Sequence, residues 1–217
     1  MVGRILTYLK ARGVLREPPR NRIKGSRKPK PRPYGVRRPK DHSVREPGDL
    51  LEVETLDIRP LPGVSLKHFT AQDIVSYWDV IEVHSRATAT HFLAELVSRM
   101  PFPVKAIQAD GGSEFMADFE GACQERGIKL FLLPPRSPKL NGQVERAHRT
   151  HLEEFYELHE GEWTQSNLKR TLLAWEYQYN RVRPHQILEN LTPWEYLKQC
   201  HQELAPLSHM WWASTNN

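Results

Sequence analysis

The segments ADGGSEF at 109–115, PPRSPKLNG at 134–142 and QVERAHRTHLEEF at 143–155 decide how this chain is to be read. Just before them, VKAIQ at 104–108 is an apolar run that ends in a Gly-Gly turn. It reads as a short buried strand with Asp110 at its end. Asn141-Gly142 opens a long charged segment that reads as a helix, with Glu145 near its start. An acid at a strand end and an acid at a helix start can converge although 34 residues separate them. Converging carboxylates hold hard divalent cations such as Mg²⁺, which take oxygen ligands and keep waters that a phosphate can replace. Acids at these positions are also commonplace for structural reasons, as a turn aspartate or a solvated helix glutamate. Position alone leaves both readings open.

Composition narrows the class. The chain has 217 residues, enough for one ordinary domain with appendages. No stretch approaches the ~20 apolar residues of a membrane span, and no charged segment followed by an apolar run opens the chain as in a secretory signal. Cys123 and Cys200 are too few for a disulfide framework or a Cys-rich zinc site. A reducing cytoplasm or nucleoid suits them, as a small core or surface thiol. The ten His show no paired metal spacing, and His148 and His151 read as surface or DNA-facing groups. Charge is unevenly spread. Residues 1–49 carry 15 Lys and Arg against 4 Asp and Glu, a net +11, while residues 50–217 carry 16 against 22, a net −6. A basic arm on a mildly acidic core points to attraction to phosphate through the arm; a basic tail with no dedicated partner is the plainer reading.

DGGSEF at 110–115, LPPRSPKLNGQVERAHRT at 133–150 and YNRVRPHQILENLTPWEYL at 179–197 together resemble the catalytic core of retroviral-type integrases and insertion-sequence transposases. In that family the second acid lies in a DNG-S-EF-like motif and the third in an NG-x-x-ER motif, at close to this interval. The resemblance spans roughly residues 47–198. It implies an α/β, ribonuclease-H-like fold: a mixed five-stranded sheet flanked by helices, here preceded by a basic extended N-terminal arm. It also implies a bacterial cytoplasmic (nucleoid) setting.

The order of elements agrees. Residues 2–13 have a helical apolar stripe closed by Gly13, and 1–14 resemble the last helix of a helix-turn-helix segment whose earlier helices would lie upstream in a longer gene product. Residues 15–47 are a Pro-, Lys- and Arg-dense linker, extended because proline disfavours helix and sheet ladders, and able to lie along a nucleic-acid backbone. Residues 48–200 form the core. Strands are expected at 50–58, 65–77, 78–84, 104–109 and 128–133, and helices at 88–100, 115–126, 141–159, 164–180 and 193–199. Trp163, Trp175, Trp194 and Trp211 read as packing residues, and 201–217 as a tail.

The resemblance implies a third acid on the first strand. Pro47-Gly48-Asp49-Leu50 and then Val53-Glu54-Thr55 match the family's P-G-D-L and V-D-T, so Glu54 stands where the family has Asp. Asp57 is the alternative. Three apart on a strand, the two point to opposite faces unless a bulge intervenes, so only one can be a ligand. Glu54 keeps the register without a gap, but its extra methylene displaces the carboxylate; ~1 Å of misplacement can cost on the order of 10²-fold in rate.

The implied chemistry is DNA transposition or integration, by metal-dependent phosphodiester cleavage and strand transfer at element ends. Glu54, Asp110 and Glu145 would hold two Mg²⁺ (or Mn²⁺) ions. Ser137, Lys139, Asn141, Gln143, Arg146 and Arg149 are the candidate DNA contacts, each also explicable as a solvated surface group. Arg149, one turn after Glu145, can pair with it or with a phosphate. In YNRVRPH, helix capping and DNA-backbone roles are both open. The partners implied are double-stranded DNA, as element ends and target, and sister subunits on that DNA, with no membrane. Two other classes stay open: a DNA-binding or oligomerising remnant with a weakened or dead site, and another ribonuclease-H-like nuclease.

Overall fold

The computed structural model describes residues 34–84, 89–134 and 141–204. The helix expected at 2–13, most of the linker, Ser137, Lys139 and Trp211 lie outside the described residues. Five strands, β1 (Leu51–Ile58), β2 (Leu66–Asp73), β3 (Asp79–His84), β4 (Ala106–Ala109) and β5 (Lys129–Leu132), form one sheet in the order β3-β2-β1-β4-β5. The first three pair antiparallel; β4 and β5 join them parallel to β1. Five helices flank the sheet: α1 (Ala89–Arg99), α2 (Asp118–Glu125), α3 (Gly142–His151), α4 (Gln165–Arg181) and α5 (Pro193–Cys200). None of the described helices is long and apolar enough to cross a membrane.

The Pro-Gly-Asp junction launches β1. Gly48 sits at φ 86°, and a Cβ there would collide with the Pro103 carbonyl, so only glycine fits. Its N–H donates to the buried Asp73 carboxylate (2.8 Å), which also accepts from Val75 and Ser76 and so closes the β2–β3 turn. Asp49 accepts from the Arg45 and Glu46 amides and pairs with Lys105 at 2.7 Å.

Alternation along the strands produces two unlike faces. Leu51, Val53, Phe69, Ala71, Val80 and Ile107 face the first core, against Phe92, Leu93 and Leu96 of α1 and Phe119 of α2. The other face is polar around Glu52, Glu54, His68, Thr70 and Gln72, and apolar at Ile58, Leu66, Ile81 and Val83, which pack on Leu168 and Leu172 of α4. Helix α3 lies across β1 and β2, and α4 along β3. Local signals place the later helices: Thr164 caps α4, and Thr192 and Glu195 form a capping box at Pro193. Trp163, Trp175 and Trp194 are packing residues as expected, the last stacked under Arg181.

Two expectations need correction. The single helix at 141–159 is α3 followed by a π-helical turn, Leu152–Tyr156. The widened turn delivers Tyr156 to the second core, where its hydroxyl meets His68 Nδ1 at 2.9 Å. The end of the linker is also docked rather than free: Val36 bridges the edge strand β5, donating to the Leu130 carbonyl (3.0 Å) and accepting from Leu132 (2.8 Å).

The opposite edge, β3, is sealed by side chains. Asn180 accepts from the Asp79 amide and donates to its carbonyl, both at 2.8 Å. Glu176 accepts from the Ile81 amide (2.8 Å), and Arg99 of α1 donates to the Ile81 carbonyl (2.8 Å). An edge strand thereby loses the free peptide groups that would template another chain. Asn180→Leu leaves both Asp79 groups buried and unpaired, and we expect a loss of about 2–4 kcal/mol from two such groups, read by urea denaturation. Higher oligomers should appear by size-exclusion chromatography; an unchanged denaturation midpoint would show that the seal lies elsewhere.

Candidate functional site

The polar face gathers its acids where β1, β4 and α3 meet. Glu52 and Glu54 point the same way from β1. Ala109 is registered against Val53, so Asp110, the next residue, emerges beside Glu54. Asp110 is exposed and accepts from the Gly112 amide at 2.9 Å. Glu145 is exposed on the first turn of α3. Asp57 is on the opposite face, registered with Lys67, where it pairs with Lys67 (3.2 Å) and Arg59 (3.4 Å). Glu54 thus lies on the face toward which Asp110 and Glu145 bring their charges, and Asp57 on the other.

Electrostatics register the approach. Burial, then the charges of Glu145, Asp110 and Glu52, push the Glu54 carboxyl up to about 7. Its Oε2 is buried with no hydrogen-bond partner among the described residues, and the nearest nitrogen partner is His148 Nδ1 at 3.7 Å. Burial and the neighbouring His151 hold His148 down at about 3, so it is a neutral ring and brings no counter-charge. The expected convergence is nonetheless incomplete. Among the described residues no three of His, Cys, Asp and Glu stand close enough to hold a metal ion as they are. Like charges repel, and Asp110 and Glu145 are exposed.

Glu52, two residues earlier, is the residue that sequence reading missed. Its Oε2 accepts from the Val144 amide at 3.1 Å, and the Gln143 amide also bonds it. Asn141, the N-cap residue, makes no side-chain cap bond. A carboxylate from β1 thus supplies the cap that α3 does not supply for itself, where the helix dipole favours negative charge. Gln108 approaches the other oxygen at 3.5 Å, and Arg38 donates to Gln108 at 3.1 Å. The signal was available: an acid at i−2 on a strand shares the face of the acid at i.

The remaining candidates divide. Arg146 and Arg149 are exposed, and among the described residues neither makes an ion pair, so the expected Glu145–Arg149 pair does not form. Gln143 is half-buried and donates to the Asp73 carbonyl at 3.0 Å. Asn141 is buried, which removes it from the surface. His148 and His151, read from sequence as surface or DNA-facing groups, are buried instead. Val144, Ala147, His148 and His151 form the i, i+3, i+4, i+7 face of α3, and the first two mark it as the buried one. His151 is satisfied by Asp79 (3.0 Å) and the Trp175 indole N–H (3.1 Å).

The donor set suits a hard cation: Glu54, Asp110 and Glu145 offer carboxylate oxygens, and one buried oxygen of Glu54 lacks a hydrogen-bond partner. Residues 126–193 match the family model for the integrase core domain. No curated protein sequence matches the chain. A chain of the simian T-cell lymphotropic virus intasome superposes with a TM-score of 0.60 at 16% identity, covering 76% of this chain and 58% of that one. The catalytic core domain of BIV integrase superposes with a TM-score of 0.54 at 22% identity, covering 71% and 97%. The chain thus spans little more than half the length of the intasome chain. The mixed sheet with its flanking helices is the ribonuclease-H-like fold of retroviral integrase cores.

A raised carboxyl has a definite sign. Glu54 favours the folded state in its protonated form, so its contribution is present below the ordinary 4.5 and is lost as pH rises through about 7. With chelator present, Glu54→Gln should raise Tm above pH 7 by about 2–4 °C, on the order of 1 kcal/mol for a chain of this length. Near pH 4 the two proteins should melt together. A lower Tm for Glu54→Gln at pH 8 would show that ionised Glu54 has a partner.

Proposed function

We propose that the chain is the catalytic core of an integrating enzyme of the insertion-sequence transposase kind, which cleaves DNA at element ends and joins those ends to target DNA. The observation that carries this reading is Glu54: a half-buried carboxyl with one oxygen lacking a hydrogen-bond partner, pushed to about 7 by burial and by the charges of Glu145 and Asp110 from two other elements of an integrase-type fold. Such an arrangement lacks a positive charge.

Glu54, Asp110 and Glu145 would hold two Mg²⁺ or Mn²⁺ ions, which when bound lower the pKa of an attacking water or 3′-hydroxyl and stabilise the leaving 3′-oxygen. The chain's own residues do the rest. Glu52 fixes the α3 N-terminus and so keeps Glu145 over β1. Neutral His148 fills the space under Glu54 without competing for it as a charge. Arg146 and Arg149, exposed on α3, are available to phosphates beside the acids. The basic arm supplies sequence-independent attraction to the duplex, and sister subunits would assemble on the same DNA.

A second reading rests on a specific observation. Glu replaces the family's Asp at 54, and the three acids are not gathered in ligating positions. On that reading the chain binds DNA or a sister subunit and does no chemistry.

Nicking and strand transfer of a labelled element end by the full chain separates the two. Activity that requires Mg²⁺ or Mn²⁺ and disappears in Glu145→Gln supports the catalytic reading; nicking that survives Glu145→Gln sinks it. Glu54→Asp moves the carboxylate back by one methylene, and the expected gain is bounded by about 10²-fold; a loss would show that the site has adapted to Glu. The arm has its own test. Deleting residues 1–47 should weaken DNA binding and flatten its dependence on salt, by about 0.9 in log–log slope for each phosphate contact removed. An unchanged slope would move the DNA-binding surface onto the acidic core.

A further inference from the structure

The flank of α3 turned away from Glu145 borders a cavity of about 770 Å³, within the ~300–1,000 Å³ of small-ligand sites. Gln143, Arg146, Ala147 and Thr150, spaced i, i+3, i+4 and i+7, form one wall. The YNRVRPH segment and the turn after it form another, through His185, Gln186 and Asn190. Tyr77 completes the lining from the β2–β3 turn.

Its chemistry is unlike that of the domain around it. Residues 50–217 carry a net −6, yet among the described residues no Asp or Glu lines this cavity. Four amide side chains do, Gln72, Gln143, Gln186 and Asn190, with the aromatic surfaces of Tyr77, Tyr179 and His185. Arg183 is committed to Glu154 through two bonds of 2.6 and 2.8 Å, so among the described lining residues the cation open to a ligand is the exposed Arg146. Tyr77 holds a left-handed backbone, φ 61°, and Asn190 does so at 67°. Non-glycine residues held in that region cluster where a fold keeps a group in place for binding. The hydroxyl of Tyr179 accepts from Gln72 at 2.9 Å, and His185 Nε2 is bonded to the Tyr179 carbonyl at 3.3 Å, so the floor is fixed before any ligand arrives.

We propose that this cavity takes a single unpaired nucleotide of the DNA on which the acids act, its base among the aromatic and amide side chains and its phosphate on Arg146. The proposal rests on the reading of the chain as a DNA-processing core. Aromatic faces stack on any base, and amides read its edge. A base is admitted only when extruded, because a paired one cannot enter a pocket. The place also fits. Glu145 and Arg146 are consecutive on α3, about 100° apart around the helix, so the cavity lies round one helix from Glu145.

The probe is a short duplex bearing one bulged 2-aminopurine, compared with the same duplex fully paired. The full chain should bind the bulged duplex about tenfold more tightly by fluorescence anisotropy, the scale of one base stacked on an aromatic ring, and 2-aminopurine emission should change on binding. Thr150→Trp, which fills the cavity from its half-exposed rim, should bring the two affinities together. Arg146→Ala should do the same, and being exposed it tests the point should Thr150→Trp melt early. Equal affinity of the unaltered chain for the two duplexes overturns the pocket while leaving the DNA reading intact. A preference that survives both variants also overturns it. Binding of neither duplex removes the DNA reading and the pocket with it.

Discussion

A sheet face that carries Glu52, Glu54, His68, Thr70, Gln72 and Asp79 can be buried only if each polar group finds a partner. The helices packed on that face answer this demand residue by residue. Glu52 takes the amides at the start of α3, and Gln72 donates to the Tyr179 hydroxyl from α4. His68 is held between Thr70 Oγ1 (2.7 Å) and the Tyr156 hydroxyl; the Asp79 carboxylate meets His151 through one oxygen, and Asn180 takes its backbone amide and carbonyl. The two helices thus have little freedom in position, since a shift by one residue would strand several buried groups at once. Glu54 and Asp79 each keep one buried carboxylate oxygen without a partner. That of Glu54 lies where the network opens toward Asp110 and Glu145.

Much of this was legible in the sequence, for physical reasons. Alternation marked the strands, Thr164 and the Thr192–Pro193 pair marked helix starts, and Gly127 marked the end of α2. The register argument that set Glu54 and Asp57 on opposite faces needed only the period of a strand. What stayed hidden was tertiary. Nothing local to Asn141 says that its capping role passes to a carboxylate on β1. Histidines on a charged helix look solvated until the face marked by Val144 and Ala147 is traced, and the π turn at Leu152–Tyr156 leaves no signal in a helical pattern. The last gap concerns the acids. Sequence gives their faces, but the distance between three like charges depends on what stands among them.

The edges of the sheet differ in kind. β3 is closed by the domain's own helices, so its peptide groups are internal. β5 is met by a segment of the basic, proline-rich region, in which Tyr34 donates to the Ile128 carbonyl (2.8 Å) and Val36 makes its bridge. A region whose composition reads as a free tether is therefore fastened at its root.

That root reaches the acids by a short route: Arg38 to Gln108, Gln108 to Glu52, and Glu52 to the first amides of α3. Where such a chain of bonds joins two binding surfaces, any preference that one ligand shows for the bonded arrangement is returned to the other. Phosphate drawing Arg38 away from Gln108 would loosen Glu52, whereas phosphate bound farther along the arm, with Arg38 left in place, would not. On the proposed DNA-binding role of the arm, Arg38 would bear both on how long DNA is held and on how firmly Glu145 is presented to it.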